Sequence, residues 1–502
     1  MLQELTDPSY SPDLGGNHTL RIFMPADSPH MNLCKTVMSS LALGYPPPTL
    51  LNWHGGFNHP DWHFAGSHIA KLESLLNVLD ELLGGLNGDR SNEHDLILLV
   101  DGYDIWFQLP PTVLIQRYHQ LNQEADARNL QKWQAADAMR SGLPVSPPKQ
   151  KIVVTPGKHC SPGPESGSNP HYEHWPESPM RKDLYGDDTD QILPLWFDPA
   201  RKYKKLRPRC VNSGFIMGTA GALRDAMQRA KEKVEDVARA GRQIWSDQAL
   251  LGEVIGDQEM WRKWIMETGS TWDGTSSDMP HFSNRDIRRI GQTALNGERF
   301  EFGIGLDYNF TTIPPTCSAE EDAYFVSIND AEAVQKESQK AGVPGKVRVA
   351  GIPPELDSLT DDDPLRQITW GDVPLFTDFY FGNTPVGIHH NAYIDNLKTV
   401  RLRDWWSKTW FYPSLRELVT SHLRALGDGP RVLATLQPPG GNETTYVVSE
   451  EALKGATYFD PKLSSKPYVK LSWDDVCQKD KSSGASPWEA VLFGDKEGKL
   501  SI

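Results

Sequence analysis

The chain has 502 residues, of which 38% are hydrophobic and 23% charged, and a formal net charge of −15. These proportions suit a globular protein with a sizeable core, and an acidic balance with no basic stripe argues against a nucleic-acid surface. No apolar run approaches the ~20 residues of a membrane-spanning helix. The opening MLQELTDPSY has neither the basic nor the apolar part of a secretory leader, which leaves room for an anchor or signal removed upstream.

The first expected strand is HTLRIFMPA (His18 to Ala26) and the second PTLLNW (Pro48 to Trp53). A Gly-, His- and Asn-rich loop follows to Gly66. Ile69, Leu72, Leu76, Leu79 and Leu83 then recur at helical spacing, with Ser67 as N-cap and Gly84-Gly85 as stop. Leu96 to Val100 is apolar throughout, as a strand buried on both faces should be. A helix is expected from Pro111 towards Trp133, a strand at Lys151 to Pro156, and a long Pro/Gly-rich excursion over residues 160–209. VNSGFIMG (Val211 to Gly218) returns as a strand and feeds a helix with Leu223, Met227, Ala230, Val234 and Val237 inward, stopped at Gly241.

The β-α-β-α-β alternation predicts a parallel α/β sheet with right-handed crossovers. Further strands are expected within Phe302 to Ile313 and Pro374 to Phe381, irregular structure over residues 320–372, and an aromatic helical segment from Thr399 to Leu426. Its WWSKTWFY run (Trp405 to Tyr412) could face an acceptor or a partner, but better suits a packing seam between the catalytic domain and the tail. Residues 430–502, with short alternating runs, read as a small β-containing extension of a catalytic domain spanning residues 18–426.

Five cysteines (Cys34, Cys160, Cys210, Cys317 and Cys477) form no C-x-x-C pair, which argues against a zinc ribbon or a thioredoxin motif. Asn-x-Thr sequons at Asn17, Asn309 and Asn442 fit a secretory compartment, although such triplets also arise by chance.

Ligands in open α/β sheets bind beyond the carboxyl ends of the strands, where DGYD places Asp101 and Asp104. Two carboxylates converging there suit Mg²⁺ or Mn²⁺ completed by phosphate oxygens; the same acids could instead cap a helix or form a turn. Tyr103 between them could stack on a base or pack at the sheet edge. Of the pair His389-His390, one imidazole can complete a two-Asp site, and Lys398 can reach a phosphate. In VNSG, Asn212 and Ser213 offer hydrogen bonds and Gly214 lets backbone approach a ligand. Asp247, in the first helical turn after a Ser246 cap, and Gln248 can face the cleft, although the helix dipole favours an acid there regardless. A competing His59-Pro60-Asp61 matches part of an iron-binding pattern, but lies in a Gly-rich loop of an α/β region without a run of jelly-roll strands.

The succession WHGGF, GSHIAKLESLL, LILLVDGYDIWF, VVTPGKHC, VNSGFIMG, SDQALL and IHHN resembles, in order, the glycosyltransferase domain of the procollagen lysyl hydroxylase and collagen glycosyltransferase group. The resemblance spans about Thr19 to Lys398. It implies a GT-A fold, with a Rossmann-like, mostly parallel sheet and a UDP-sugar bound through Mn²⁺ or Mg²⁺. Asp101, Asp104 and His389 match the metal ligands, and Tyr103 the aromatic on uracil. Asn212, Ser213 and Gly214 match the strand beside the sugar, and Asp247 and Gln248 the pair facing donor sugar or acceptor. His68 stands where the group has Lys, and Pro156-Gly157 and Cys160-Ser161 replace its Ala-Glu and Cys-Trp. No dioxygenase domain is apparent, so collagen hydroxylysine is not implied as acceptor. The expectation is a UDP-sugar-dependent transferase acting on a protein or glycan hydroxyl in the Golgi or endoplasmic reticulum lumen. The alternatives are a relative that binds nucleotide-sugar or carbohydrate without turnover, and an iron dioxygenase.

Overall fold

The computed structural model describes residues 15–62, 66–84, 91–136, 146–186, 189, 202–269, 282–392, 394–429, 431–437, 442–463, 466–478, 488–495, 497 and 500. Gly85 of the expected helix stop, residues 187–188 and 190–201 of the excursion, and Pro430 at the head of the tail lie outside the described residues.

The fold is mixed α/β, with a ten-stranded, mostly parallel central sheet flanked by helices, compatible with a Rossmann-like arrangement. Side chains alternate across a strand, which explains the uninterrupted LILLV run. Leu96, Leu98 and Val100 enter one hydrophobic cluster, and Ile97 and Leu99 another on the opposite face. The helices alternate likewise. Met31–Ala42 and Pro111–Ala135 pack in the first cluster, Gly66–Leu82 and Ala220–Arg239 in the second.

The strand Gly16–Pro25 runs parallel to Thr49–Leu51 and Leu96–Val100, and Ile152–Gly157 parallel to Ile304–Leu306. The VNSGFIMG strand departs from the all-parallel expectation. It spans Cys210–Thr219 and is antiparallel to both Leu96–Val100 and Ile152–Gly157. The chain reaches it through the long excursion, which a Cys160–Cys210 disulfide closes at its base and whose described residues hold no α-helix.

Other expectations need correction. The strand in Phe302 to Ile313 shortens to Ile304–Leu306, because the Asp307 carboxylate accepts the Thr312 N–H and hydroxyl and turns the chain. Residues 320–372 are not wholly irregular. They hold the strand Ala323–Val326, which pairs with Leu375–Asp378, and the helix Ala331–Ala341, capped by Asp330 and ended at Gly342 with φ 83°. The segment from Thr399 to Leu426 divides into helices Leu397–Asp404 and Leu415–Gly427, with Pro413 in the turn between them. Trp406, Trp410 and Phe411 there are buried in the first cluster.

The tail strands Thr444–Val448 and Thr457–Phe459 pair parallel with the first and second strands and so widen the main sheet. A Cys34–Cys477 disulfide ties the tail to the first helix. Among the described residues no helix is long and apolar enough to cross a membrane.

Candidate metal centre and ligand cleft

The strand Leu96–Val100 hands directly to the site. The Asp101 N–H donates to the Gly214 carbonyl oxygen at 3.0 Å, which sets Asp101 beside Asn212, Ser213 and Gly214. The chain then turns at Gly102, where a Cβ would lie 2.6 Å from the Pro25 carbonyl oxygen. Beyond the turn, Ile105–Phe107 pairs antiparallel with Gly387–His389, and Ile105 faces His389 across the ribbon. The His390 N–H donates to the Asp104 carbonyl oxygen at 2.7 Å. This ribbon brings a histidine from far downstream against the two acids.

Ligand atoms of Asp101, Asp104 and His389 all lie within 4.8 Å of one another. His389 Nε2 is 3.7 Å from Asp101 Oδ2 and 3.5 Å from Asp104 Oδ2. Two ligands each ~2.1 Å from one ion, at angles between right and tetrahedral, stand about 3.0–3.4 Å apart, so small adjustments close the set around a divalent cation. Asp104 and His389 are buried, whereas the Asp101 side chain is 31% exposed and opens the position to the cleft. That leaves room for the further oxygen ligands a hard cation takes.

Charge fits as well. Lys398 Nζ is 2.5 Å from Asp104 Oδ2. Lys71 Nζ bridges Asp101 Oδ1 at 2.8 Å and Asp247 Oδ2 at 2.7 Å, and donates to the Ser213 carbonyl oxygen at 2.7 Å. Three carboxylates against two ammonium groups leave one negative charge. Burial alone would raise the pKa of Asp104, but His389 and Lys398 outweigh it and hold the group below its usual range. Burial is likewise outweighed at Asp247 by Lys71, which keeps that carboxylate ionised. Burial opposes the charge on Lys71 and Lys398, yet their carboxylate partners raise both above the ordinary lysine value.

The other expected residues gather on the same cleft, a space of about 570 Å³. Ser213 Oγ donates to Asp247 Oδ2 at 2.9 Å, and Asn212 Nδ2 to Gln248 Oε1 at 3.0 Å. Ser246 Oγ accepts the Ala249 N–H and caps the helix that presents Asp247 and Gln248. Gln248 in turn donates to the Ser161 carbonyl oxygen of the excursion. Tyr103 lines the cleft half-buried; its hydroxyl donates to the Ser28 carbonyl oxygen at 3.0 Å and accepts the Asp27 N–H at 3.2 Å. Its ring meets His30 edge-on at 5.7 Å. His389 and His390 divide as an adjacent pair in a strand should. His390 points into the aromatic core, 4.1 Å from Trp106, and burial keeps it neutral.

Lys71 was not among the expected site residues, although it ties three of them together. Its signal was a lysine embedded in the inward stripe, between Ile69 and Leu72, of an otherwise apolar helix face. His68, one turn earlier, is exposed at the cleft rim. The competing His59 is paired with Glu73 at 2.6 Å and stacked on Trp62, while Asp61 is exposed. Among the described residues no third ligand joins these two.

No protein-family model and no curated protein matches this chain.

Proposed function

We propose that this chain is a metal-dependent glycosyltransferase of GT-A type that transfers a sugar from a UDP-sugar to a hydroxyl of a protein or glycan. The observation that carries the reading is the convergence of Asp101, Asp104 and His389 at the carboxyl end of a central strand, opening on the cleft that also holds Asp247. The volume of about 570 Å³ lies in the range of small-molecule sites. A divalent ion there supplies Lewis-acid stabilisation of a leaving diphosphate.

The protein's own groups supply the rest. Lys398, hinged on an exposed helix start, can move its ammonium from Asp104 to a donor phosphate. Lys71 holds Asp101 and Asp247 in fixed positions from beneath. Asp247, kept ionised, is a weak base and a strong hydrogen-bond acceptor, which suits it to hold a sugar or acceptor hydroxyl. Gln248 links the cleft wall to the excursion, a candidate cover that keeps water from the donor. Tyr103 offers its ring to the base of the nucleotide. Two disulfides accord with the oxidising lumen of the secretory pathway.

Release of UDP from a panel of UDP-sugars in the presence of Mn²⁺ tests the reading. Turnover of at least one donor, abolished in Asp104→Ala, is expected. The alternative, binding without turnover, draws on the lysine already seated on Asp104. It would show as Mn²⁺-dependent UDP binding with no release from any donor. No affinity for UDP at all overturns both.

A further inference from the structure

A second cluster lies in the excursion, away from the cleft. In the sequence HYEH, the ligand atoms of His171, Glu173 and His174 lie within 4.8 Å of one another. Glu173 Oε1 is 3.3 Å from His171 Nδ1 and 3.7 Å from His174 Nε2. Two ligands of a tetrahedral zinc ion, each ~2.0–2.1 Å from the metal, stand about 3.4 Å apart. The carboxylate already sits at that spacing from His171 and slightly beyond it from His174. Both imidazoles are nearly covered, with 8% and 7% of the side chain exposed, whereas Glu173 is 62% exposed and free to adjust.

The surrounding amides present NH₂ groups to the same two ring nitrogens that face Glu173. Asn169 Oδ1 accepts the His171 N–H at 3.2 Å, so its Nδ2 is the atom facing His171 Nδ1, at 3.4 Å. Asn284 Oδ1 accepts the N–H groups of Asp286 and Ile287 as a helix cap, so its Nδ2 faces His174 Nε2 at 3.3 Å. An NH₂ group only donates. Each of these nitrogens can accept from its amide in one tautomer or, protonated, donate to the Glu173 carboxylate, whose oxygens only accept. Deprotonated, the two nitrogens join the carboxylate to offer three lone-pair atoms to one point, and the amide contacts are long enough to yield to a stronger partner. Of the charged groups near His174, Lys263 opposes a cation and Asp286 favours it.

The geometry points to a divalent transition-metal site of zinc type at His171, Glu173 and His174, distinct from the oxygen-rich site at Asp101 and Asp104. Two imidazoles and one carboxylate suit zinc over magnesium, and water completes the set on the exposed side. The ion clips the excursion in place. Pro170 packs on Gly256, where a Cβ would lie 2.2 Å from the Pro170 carbonyl oxygen, and Gly256 belongs to the helix whose start carries Asp247 and Gln248. Between the two histidines, the Tyr172 hydroxyl donates to the carbonyl oxygen of Pro162, which lines the cleft, so the clip also bears on the cleft wall.

Zinc and cobalt titrations of the full chain test this. Asp104→Asn weakens the first site. That variant is expected to keep one tightly bound Zn²⁺ per chain, to gain several degrees in Tm with Zn²⁺, and to give an intense visible Co²⁺ band. Adding Glu173→Gln, an exposed change that leaves folding intact, should lower Zn²⁺ affinity at least tenfold. Adding His171→Ala with His174→Ala should remove the band. The inference fails if Asp104→Asn binds no Zn²⁺, or if its Zn²⁺ affinity is unchanged by Glu173→Gln and by the double histidine change. Its failure leaves the UDP-release assay, which reads the other site, unaffected.

Discussion

Gly214 and His389 occupy each other's space: a Cβ on Gly214 would lie 2.3 Å from His389 Cε1 and 2.5 Å from Nδ1. The imidazole lies on bare backbone, and this contact aims Nε2 at the two carboxylates. Gly214→Ala should rotate the ring away while the strand survives, since Gly214 lies in a ladder buried on both sides. Expected are a loss of about 1–3 kcal/mol from overpacking and a 10–100-fold loss of Mn²⁺ affinity, the scale seen when a ligand's supporting contacts change. Calorimetric titration with Mn²⁺ decides it; affinity within twofold of the wild type would show that Gly214 does not position His389.

Lys71 is the buried counter-ion of Asp101 and Asp247, with 6% of its side chain exposed. Lys71→Met keeps its length and removes its charge, leaving Asp101 and Asp247 without their shared ammonium partner. A cost of about 3–5 kcal/mol is expected, as for removing one member of a buried ion pair. Because a divalent cation can replace part of the lost charge, Mn²⁺ should raise the Tm of the variant more than that of the wild type. Melting curves with and without Mn²⁺ check this, and equal shifts in the two proteins would contradict it.

The contrast between these two residues shows what was legible in the sequence. Asp101 and Asp104 could be read because a buried strand ended on acids, and an apolar run ended on the pair His389-His390, of which the family resemblance singled out His389. Lys71 showed only as an inward lysine, because helical periodicity marks positions as inward without saying what the inward face meets. The antiparallel direction of Cys210–Thr219 was hidden for a related reason. An apolar strand reads the same in either direction, and the direction was set by an excursion whose described residues hold no α-helix. The tail strands were visible as strands, but their partners lie at the far end of the chain, and pairing at that separation leaves no local pattern.

His422 supplies a pH dependence that does not involve the cleft. It is buried in the helix Leu415–Gly427 and hydrogen-bonded through Nε2 to the Tyr45 carbonyl oxygen at 2.8 Å. Burial lowers its pKa from 6.5 to about 4. Between those values the unfolded chain binds the proton and the folded chain does not, so stability falls as pH drops from 6.5 towards 4. The loss is about 3 kcal/mol at most. His422→Gln keeps a donor for Tyr45 and should flatten the fall in Tm across this window. An unchanged slope would place the acid sensitivity elsewhere.

Asp378 should act with the opposite sign. It is buried; burial and the neighbouring Asp322 carboxylate raise its pKa above the ordinary aspartate value. Its Oδ1 accepts the N–H groups of Tyr380 and Phe381 at 2.9 and 2.8 Å, which ends the strand Leu375–Asp378. The folded chain holds this proton more tightly than the unfolded chain, so stability is fullest below the ordinary pKa of 3.8 and declines as pH rises through the folded one. Asp378→Asn keeps the acceptor oxygen and the shape without the charge. The variant should therefore match the wild type at acid pH and melt higher at pH 8, because removing a charge that burial and Asp322 disfavour relieves the folded state alone. A variant that melts lower at pH 8 would show instead that the ionised carboxylate is needed there, as a partner for Lys158, which is buried against Asp322 in the same cluster.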